Sequence, residues 1–111
     1  MSVAEISIGQ CDNLTLIHLL MAPLKFDWDQ GNERKSVEKH LISNAEAESI
    51  FLDPKRKYRI SHRANEIRFL CTGKSFSDKL LTSYYIIRNR KVRIIGTRVA
   101  RISERKRYEK E

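Results

Sequence analysis

Lys91-Val92-Arg93-Ile94-Ile95-Gly96-Thr97-Arg98-Val99-Ala100-Arg101, near the C-terminus, reads as a β-strand that carries arginines. Val92, Ile94 and Ile95 are β-branched and favour extended backbone, with Arg93 set between them. Gly96 is expected to loosen the backbone just where Arg98 and Arg101 follow. Ser103 is placed to cap a short terminal helix, and Glu104 lies at that helix's positive end. The pattern delivers several guanidinium groups to one region, backed by Arg105, Lys106 and Arg107. On composition alone, an ordinary strand with solvated arginines fits these residues as well as a phosphate-binding one.

Working upstream, the period is that of strands. Arg88 to Lys91 reads as a hairpin loop in which Asn89 is best able to adopt positive φ. Leu80-Leu81-Thr82-Ser83-Tyr84-Tyr85-Ile86-Ile87 is apolar on both faces, as a central strand should be. Beyond the polar loop 73–78, Glu66 to Thr72 alternates, with Ile67, Phe69 and Cys71 on one face and Glu66, Arg68, Leu70 and Thr72 on the other. Lys57-Tyr58-Arg59-Ile60 is a weaker strand. Before Pro54 the period turns helical. Ser43-Asn44-Ala45-Glu46 reads as a capping box opening a helix whose Ala47, Ile50 and Phe51 share a face. Pro54 bars its continuation. Asp29 is read as the cap of an earlier helix running to about His40, and Leu24 to Trp28 as a short strand. The expected fold is α+β: a short N-terminal strand, two helices packed on an antiparallel sheet of three to four further strands, and a short C-terminal helix.

The 111 residues suffice for one domain, large enough to bury roughly two thirds of the surface its unfolded chain would expose. We divide them into an N-terminal extension, 1–22, of uncertain role, and a domain, 23–111. His18, inside the apolar run Leu14 to Met21, reads as a packing residue. Met21 is a possible internal start. Net charge is +8 and lopsided: residues 1–53 carry four Lys/Arg against nine Asp/Glu, and residues 54–111 carry eighteen against five. Such asymmetry suits one end of the molecule to a polyanion, of which nucleic acid is the commonest. Cys11 and Cys71 stand far apart with no metal or dithiol spacing, and unpaired thiols fit a reducing cytoplasm. The first residues lack the positive start of a secretory signal, and the apolar run is far shorter than the roughly 20 residues of a membrane span. No cofactor or metal is expected.

Phe26-Asp27-Trp28-Asp29, then Lys39-His40, then Ser43 and Phe51-Leu52-Asp53-Pro54 resemble the opening of the BrnT family of type II toxins. Glu66-Ile67-Arg68-Phe69 with Gly73-Lys74-Ser75 resembles its middle strand and turn. Val92 to Ala100, with Glu104-Arg105-Lys106-Arg107-Tyr108-Glu109, is similar to its ending. The resemblance spans about Lys25 to Glu109. It implies a RelE-like fold, ribonuclease activity on RNA, a cognate BrnA-type antitoxin, and contact with DNA only indirectly through the antitoxin complex. The family usually has glycine after the Lys-His pair, where Leu41 stands. A basic residue commonly follows the matched Arg98, where this chain has Val99, and Arg101 takes the place of a small hydroxyl residue.

RNA cleavage without metal requires a group to accept the 2′-OH proton, cations to stabilise the phosphorane, and an acid for the leaving oxygen. Arginine serves only the second need. Histidine as a residue type suits the first, so His40 is a candidate base; its alternative is a helix-terminal histidine over free carbonyls. Glu66 is the other candidate, against a plain ion pair with a neighbouring strand. Arg68, Arg93 and Arg98 are the expected phosphate clamp. Lys55, Arg56, Lys57, Arg59 and Arg63 read as a track for the RNA backbone, joined by Arg101. Tyr108 either stacks on a base or packs under the sheet, His62 is an RNA contact or a bystander, and Trp28 reads as core. A non-catalytic nucleic-acid-binding module and a degenerate toxin remain alternatives.

Overall fold

The computed structural model describes His18, residues 23–63 and residues 65–110. Apart from His18, the N-terminal extension lies outside the described residues. From residue 23 onward two helices come first, α1 (Lys35–His40) and α2 (Asn44–Ser49), the latter continued by a 3-10 turn, Ile50–Leu52. Four strands follow, β1 (Lys57–Arg63), β2 (Glu66–Lys74), β3 (Leu80–Arg88) and β4 (Lys91–Val99), and α3 (Ile102–Glu109) ends the chain. The strands form one antiparallel sheet in sequence order, so the α+β expectation holds and the apolar run at Leu80 is an interior strand. The β3–β4 loop is Asn89-Arg90, and both residues have positive φ. Such a turn matches the right-handed twist of the strands it joins.

One face of the sheet is closed by the helices. Tyr58, Cys71, Leu81, Tyr85, Val92 and Ile94 meet Ile42, Ala47, Ile50 and Phe51 in the core. Phe51 packs edge-on against both Phe26 and Tyr85 at 5.3 and 5.2 Å between ring centroids. Complete burial pushes the Cys71 thiol up, so this cysteine is an inert packing group. His18 enters the same core. It is buried, stacks on Tyr58 at 4.1 Å and hydrogen-bonds the Tyr85 hydroxyl at 2.5 Å. Trp28 is partly buried against the core, as expected, with its indole N–H donating to Glu48 at 2.6 Å.

Three local expectations are corrected. The segment Leu24 to Trp28 is not a strand but makes a single parallel bridge, Phe26 to Val92. Asp29 does not cap a helix directly: residues 30–34 form turns, and α1 begins only at Lys35. The cause is Asn32, whose buried side chain donates to the carbonyls of Asp27 and Ile94 and accepts from the Asp29 N–H. An asparagine that satisfies backbone groups in this way competes with helical pairing. The capping box at Ser43 is half made: Ser43 accepts from the Glu46 N–H at 3.0 Å, but the Glu46 carboxylate bonds the Ser75 and Ser77 hydroxyls instead. The Ser77 hydrogen bond, with that of Ser75, outweighs burial and holds Glu46 below the usual carboxylate range.

The same segment shields the free edge of β4. The Val92 N–H donates to Lys25 O, Val92 O accepts from Asp27, Ile94 O from Asn32, and the Thr97 N–H donates to Ser36 Oγ. An edge covered in this way offers no template for a further strand. It also docks α1 along β4, which carries His40 to the rim of the sheet's other face.

Candidate nucleic-acid interface

The outer face is built by alternation from the core face. Arg59 and Ser61 of β1, Arg68, Leu70 and Thr72 of β2, Thr82 and Tyr84 of β3, and Gly96 and Arg98 of β4 stand on it. Strict alternation would put Arg93 and Arg98 on opposite faces. A register shift at Tyr84/Tyr85, which leaves Ile95 without a paired residue, returns both to the same face. Gly96 has a role different from the expected loosening. Its φ is not positive, and a Cβ there would run into the Tyr84 ring and hydroxyl, so glycine makes room for Tyr84 to lie across β4.

On this face lies an open cleft of 710 Å³ lined by Lys39, His40, Arg59, Ser61, Arg68, Leu70, Tyr84, Arg98 and Arg101. It gathers His40, Arg59, Arg68, Arg98 and Arg101 from three strands and two loops or helix ends. Arg68 is 28% exposed, and its Nε is buried without a hydrogen-bond partner. A guanidinium N–H left open in this way is costly unless something else bonds it. Glu66 lies beside the cleft, 3.6 Å from Arg68, and does not line it.

Arg98 is committed. Its two terminal nitrogens bond the two oxygens of Glu104 at 2.7 and 3.0 Å. Glu104 also accepts from the Thr82 hydroxyl at 3.0 Å and the Arg101 N–H at 2.8 Å, with Arg59 3.8 Å away. Burial works to raise the Glu104 pKa, but these donors outweigh it and lower the pKa to about 2. Arg98 is pushed up correspondingly, first by the hydrogen bonds it donates to Glu104. The bond to Arg101 also corrects the helix start: Arg101, not Ser103, is the N-cap residue of α3, with Glu104 reaching back to its N–H. Sequence reasoning saw Glu104 only as a favourable charge at a helix end; its spacing of three from Arg101 was the available signal.

Arg93 shares the face but not the cleft. It is four paired positions from Arg98, about 13 Å along the strand. It is held by Asp29 through two bonds of 2.8 and 2.9 Å, with Asp27 at 3.6 Å. The hydrogen bond from Arg93 keeps Asp29 below the usual carboxylate range. Lys39, Ser61 and Tyr84 line the cleft and were not singled out as site residues.

The expected backbone track divides. Arg59 belongs to the cleft. Arg56 turns inward, donating to the Tyr58 hydroxyl at 2.7 Å and to Asp53 O at 3.0 Å, with its guanidinium 5.5 Å over the Tyr58 ring. Lys55, Lys57 and Tyr108 line a separate depression. His62 is exposed on β1, and the Arg63 side chain lies outside the described residues. The Tyr108 hydroxyl donates to Asp53 at 2.6 Å, and burial together with that anion pushes its pKa up to about 12. Among the described residues no helix is long and apolar enough to cross a membrane.

No curated protein matches the chain. A family model described as the ribonuclease toxin BrnT of type II toxin–antitoxin systems matches residues 28–104. That span runs from Trp28 beside the core, through α1 and the whole sheet, to Glu104 under Arg98. The chain therefore belongs to the BrnT family of type II toxin–antitoxin ribonuclease toxins.

Proposed function

We propose that the outer-face cleft is where this toxin, a RelE-like ribonuclease, cleaves RNA by acid/base and electrostatic catalysis without a metal ion. The observation that carries the reading is the meeting of His40, from the end of α1, with Arg68, Arg98 and Arg59 in one open cleft. Two further features support it among the described residues: a donor on Arg68 with no partner, and no carboxylate in the lining. Such a lining repels a divalent cation and attracts a phosphodiester.

In this reading His40 takes the proton from the 2′-hydroxyl. The 2′-oxygen attacks phosphorus, the P–O5′ bond breaks, and the departing 5′-oxygen takes a proton from solvent in the open cleft. The products are a 2′,3′-cyclic phosphate and a 5′-hydroxyl end. Arg68 donates from its guanidinium to a non-bridging oxygen as charge develops there. Glu66 is a positioning residue that holds Arg68. Arg98, with both terminal nitrogens on Glu104, supplies field rather than a direct bond, and Arg59 and Arg101 hold adjoining phosphates. The cognate antitoxin, of the BrnA type, covers the cleft with an acidic segment, so the complex weakens at high salt. Residues 23–111 are the toxin domain, acting in the cytoplasm.

Purified protein is expected to cleave RNA in EDTA. His40→Ala should lower kcat by about 10²–10⁴-fold, and Arg68→Ala by about 10²–10³-fold, with circular dichroism unchanged. Cleavage that needs added divalent metal, or two folded variants as active as the parent, contradicts the proposal. The pairing of Arg98 with Glu104 favours a second reading, a cleft that binds RNA without cutting it. It predicts salt-sensitive RNA binding with no cleavage products.

A further inference from the structure

A second cationic depression, of 550 Å³, lies where the outer face meets the far flank of α3. Five cations line it, Lys55, Lys57, Lys74, Arg105 and Lys110, together with Pro54, Leu80 and Tyr108. Glu109 is the one carboxylate in the lining among the described residues. Of the five cations, Lys74 lies 3.3 Å from Asp78 and Arg105 lies 4.0 Å from Glu109, contacts with largely exposed carboxylates that screen them weakly.

The depression is built rather than incidental. Asp53 holds it together from below, accepting from the Lys74 N–H at 2.7 Å, the Lys55 N–H at 2.9 Å and the Tyr108 hydroxyl at 2.6 Å. Burial works to raise the Asp53 pKa, but these three donors outweigh it and keep the carboxyl ionised. One anion thus ties the turn after α2, the end of β2 and α3 into a fixed frame. Lys55 and Lys110 are exposed, and Lys57 and Lys74 half-buried.

We propose that this depression is a second RNA subsite, holding the backbone of the strand that runs out of the cleft. The inference rests on the reading of the cleft as the cleavage site, but is tested separately from it. Lys57 stands two residues from Arg59 on the same face of β1, about 7 Å along the strand. Between them Arg107 of α3 reaches the Tyr58 carbonyl at 2.7 Å, so a strand leaving the cleft past Arg59 crosses a further cation before it reaches Lys57. Cations beside an aromatic side chain are what single strands require: cations follow the phosphates, and a ring takes a base face. An acidic segment of a protein partner would use the cations but not the aromatic side chain.

The test uses two 2′-O-methyl RNAs, a 12-mer and a trimer, which cannot be cut through a 2′-hydroxyl. The protein is compared with a Lys55→Ala/Lys74→Ala/Lys110→Ala variant, which removes three cations and the exposed Lys74–Asp78 ion pair. The 12-mer Kd is expected to rise at least about 10-fold, with the slope of log Kd against log salt reduced by about 2 for three lost phosphate contacts. The ratio of 12-mer to trimer affinity should collapse toward one. An unchanged ratio and slope overturns the subsite, and so does a variant that loses antitoxin affinity while its RNA binding is intact. If the protein does not cleave RNA but the ratio collapses, the cleft reading fails and the depression stands; cleavage with an untouched ratio gives the converse.

Discussion

The two ends of β4 each carry an arginine held by a carboxylate, and the two pairs differ in burial. At the start of the strand, Arg93 is gripped by Asp29, whose side chain is 51% exposed. At the far end, Arg98 is gripped by Glu104, whose side chain is 7% exposed. An exposed pair is screened by water and contributes little. A buried carboxylate deprived of its partners is left as an uncompensated charge, and breaking such a pair costs about 3–5 kcal/mol. The near-identical geometry of the two clamps therefore conceals different work. Asp29 steadies a turn, whereas Glu104 fastens α3 to the sheet and fixes one wall of the cleft.

The sharpest way to break that comparison is Arg98→Ala. It strands Glu104 among Thr82 and the Arg101 N–H, and should lower unfolding free energy in urea by about 3–5 kcal/mol. A midpoint within error of the parent would place the two clamps in one class. Acid gives the next largest effect. With a folded pKa of about 2 against 4.5 for the free side chain, Glu104 contributes stability that is complete above the unfolded value and is lost as pH falls through the folded one. That contribution is about 3 kcal/mol at neutral pH, of which about 2 has gone by pH 3. Glu104→Gln should flatten this limb of a stability–pH curve.

A smaller effect is expected from the helix that rides on β4 between the two clamps. α1 ends at Leu41, which adopts φ 59°, ψ 32° with its side chain 86% exposed, so that Ile42 can turn into the core. The left-handed conformation costs a residue with a Cβ about 1–2 kcal/mol. Leu41→Gly should therefore raise stability by about 1 kcal/mol, read as a higher urea midpoint, while leaving His40 at the cleft. A lower midpoint would mean that Leu41 has a packing role. The smallest effect is expected from Asp29→Ala, whose midpoint shift should fall below that of Leu41→Gly and should not change on going from pH 7 to pH 5.

Much of the fold was legible in the residues. Alternation marked β2, the doubly apolar run marked β3, and Asn89 marked the hairpin, because strand period and turn chemistry are local properties. The boundaries of α1 were not legible: whether Asn32 continues a helix or turns inward depends on carbonyls at Asp27 and Ile94 that only the folded chain supplies. The half-made capping box has the same cause. Glu46 had a local partner available, but Ser75 and Ser77, brought over by the β2–β3 loop, displaced it. His18 in the apolar run read as a packing residue, and its ring does pack, against Tyr58 and Tyr85.

The candidate site was legible as a set of residue types and not as a place. Composition and motif order pointed to RNA, to arginines of the last strands and to His40. Which arginines meet was decided by one register shift in β4 and by two carboxylates, Asp29 and Glu104, claiming Arg93 and Arg98 respectively. A residue's chemistry and its local backbone preference are written in the chain and survive any fold. The partner a long cationic side chain finds depends on which acids the fold brings within reach, and that is a property of the tertiary structure alone.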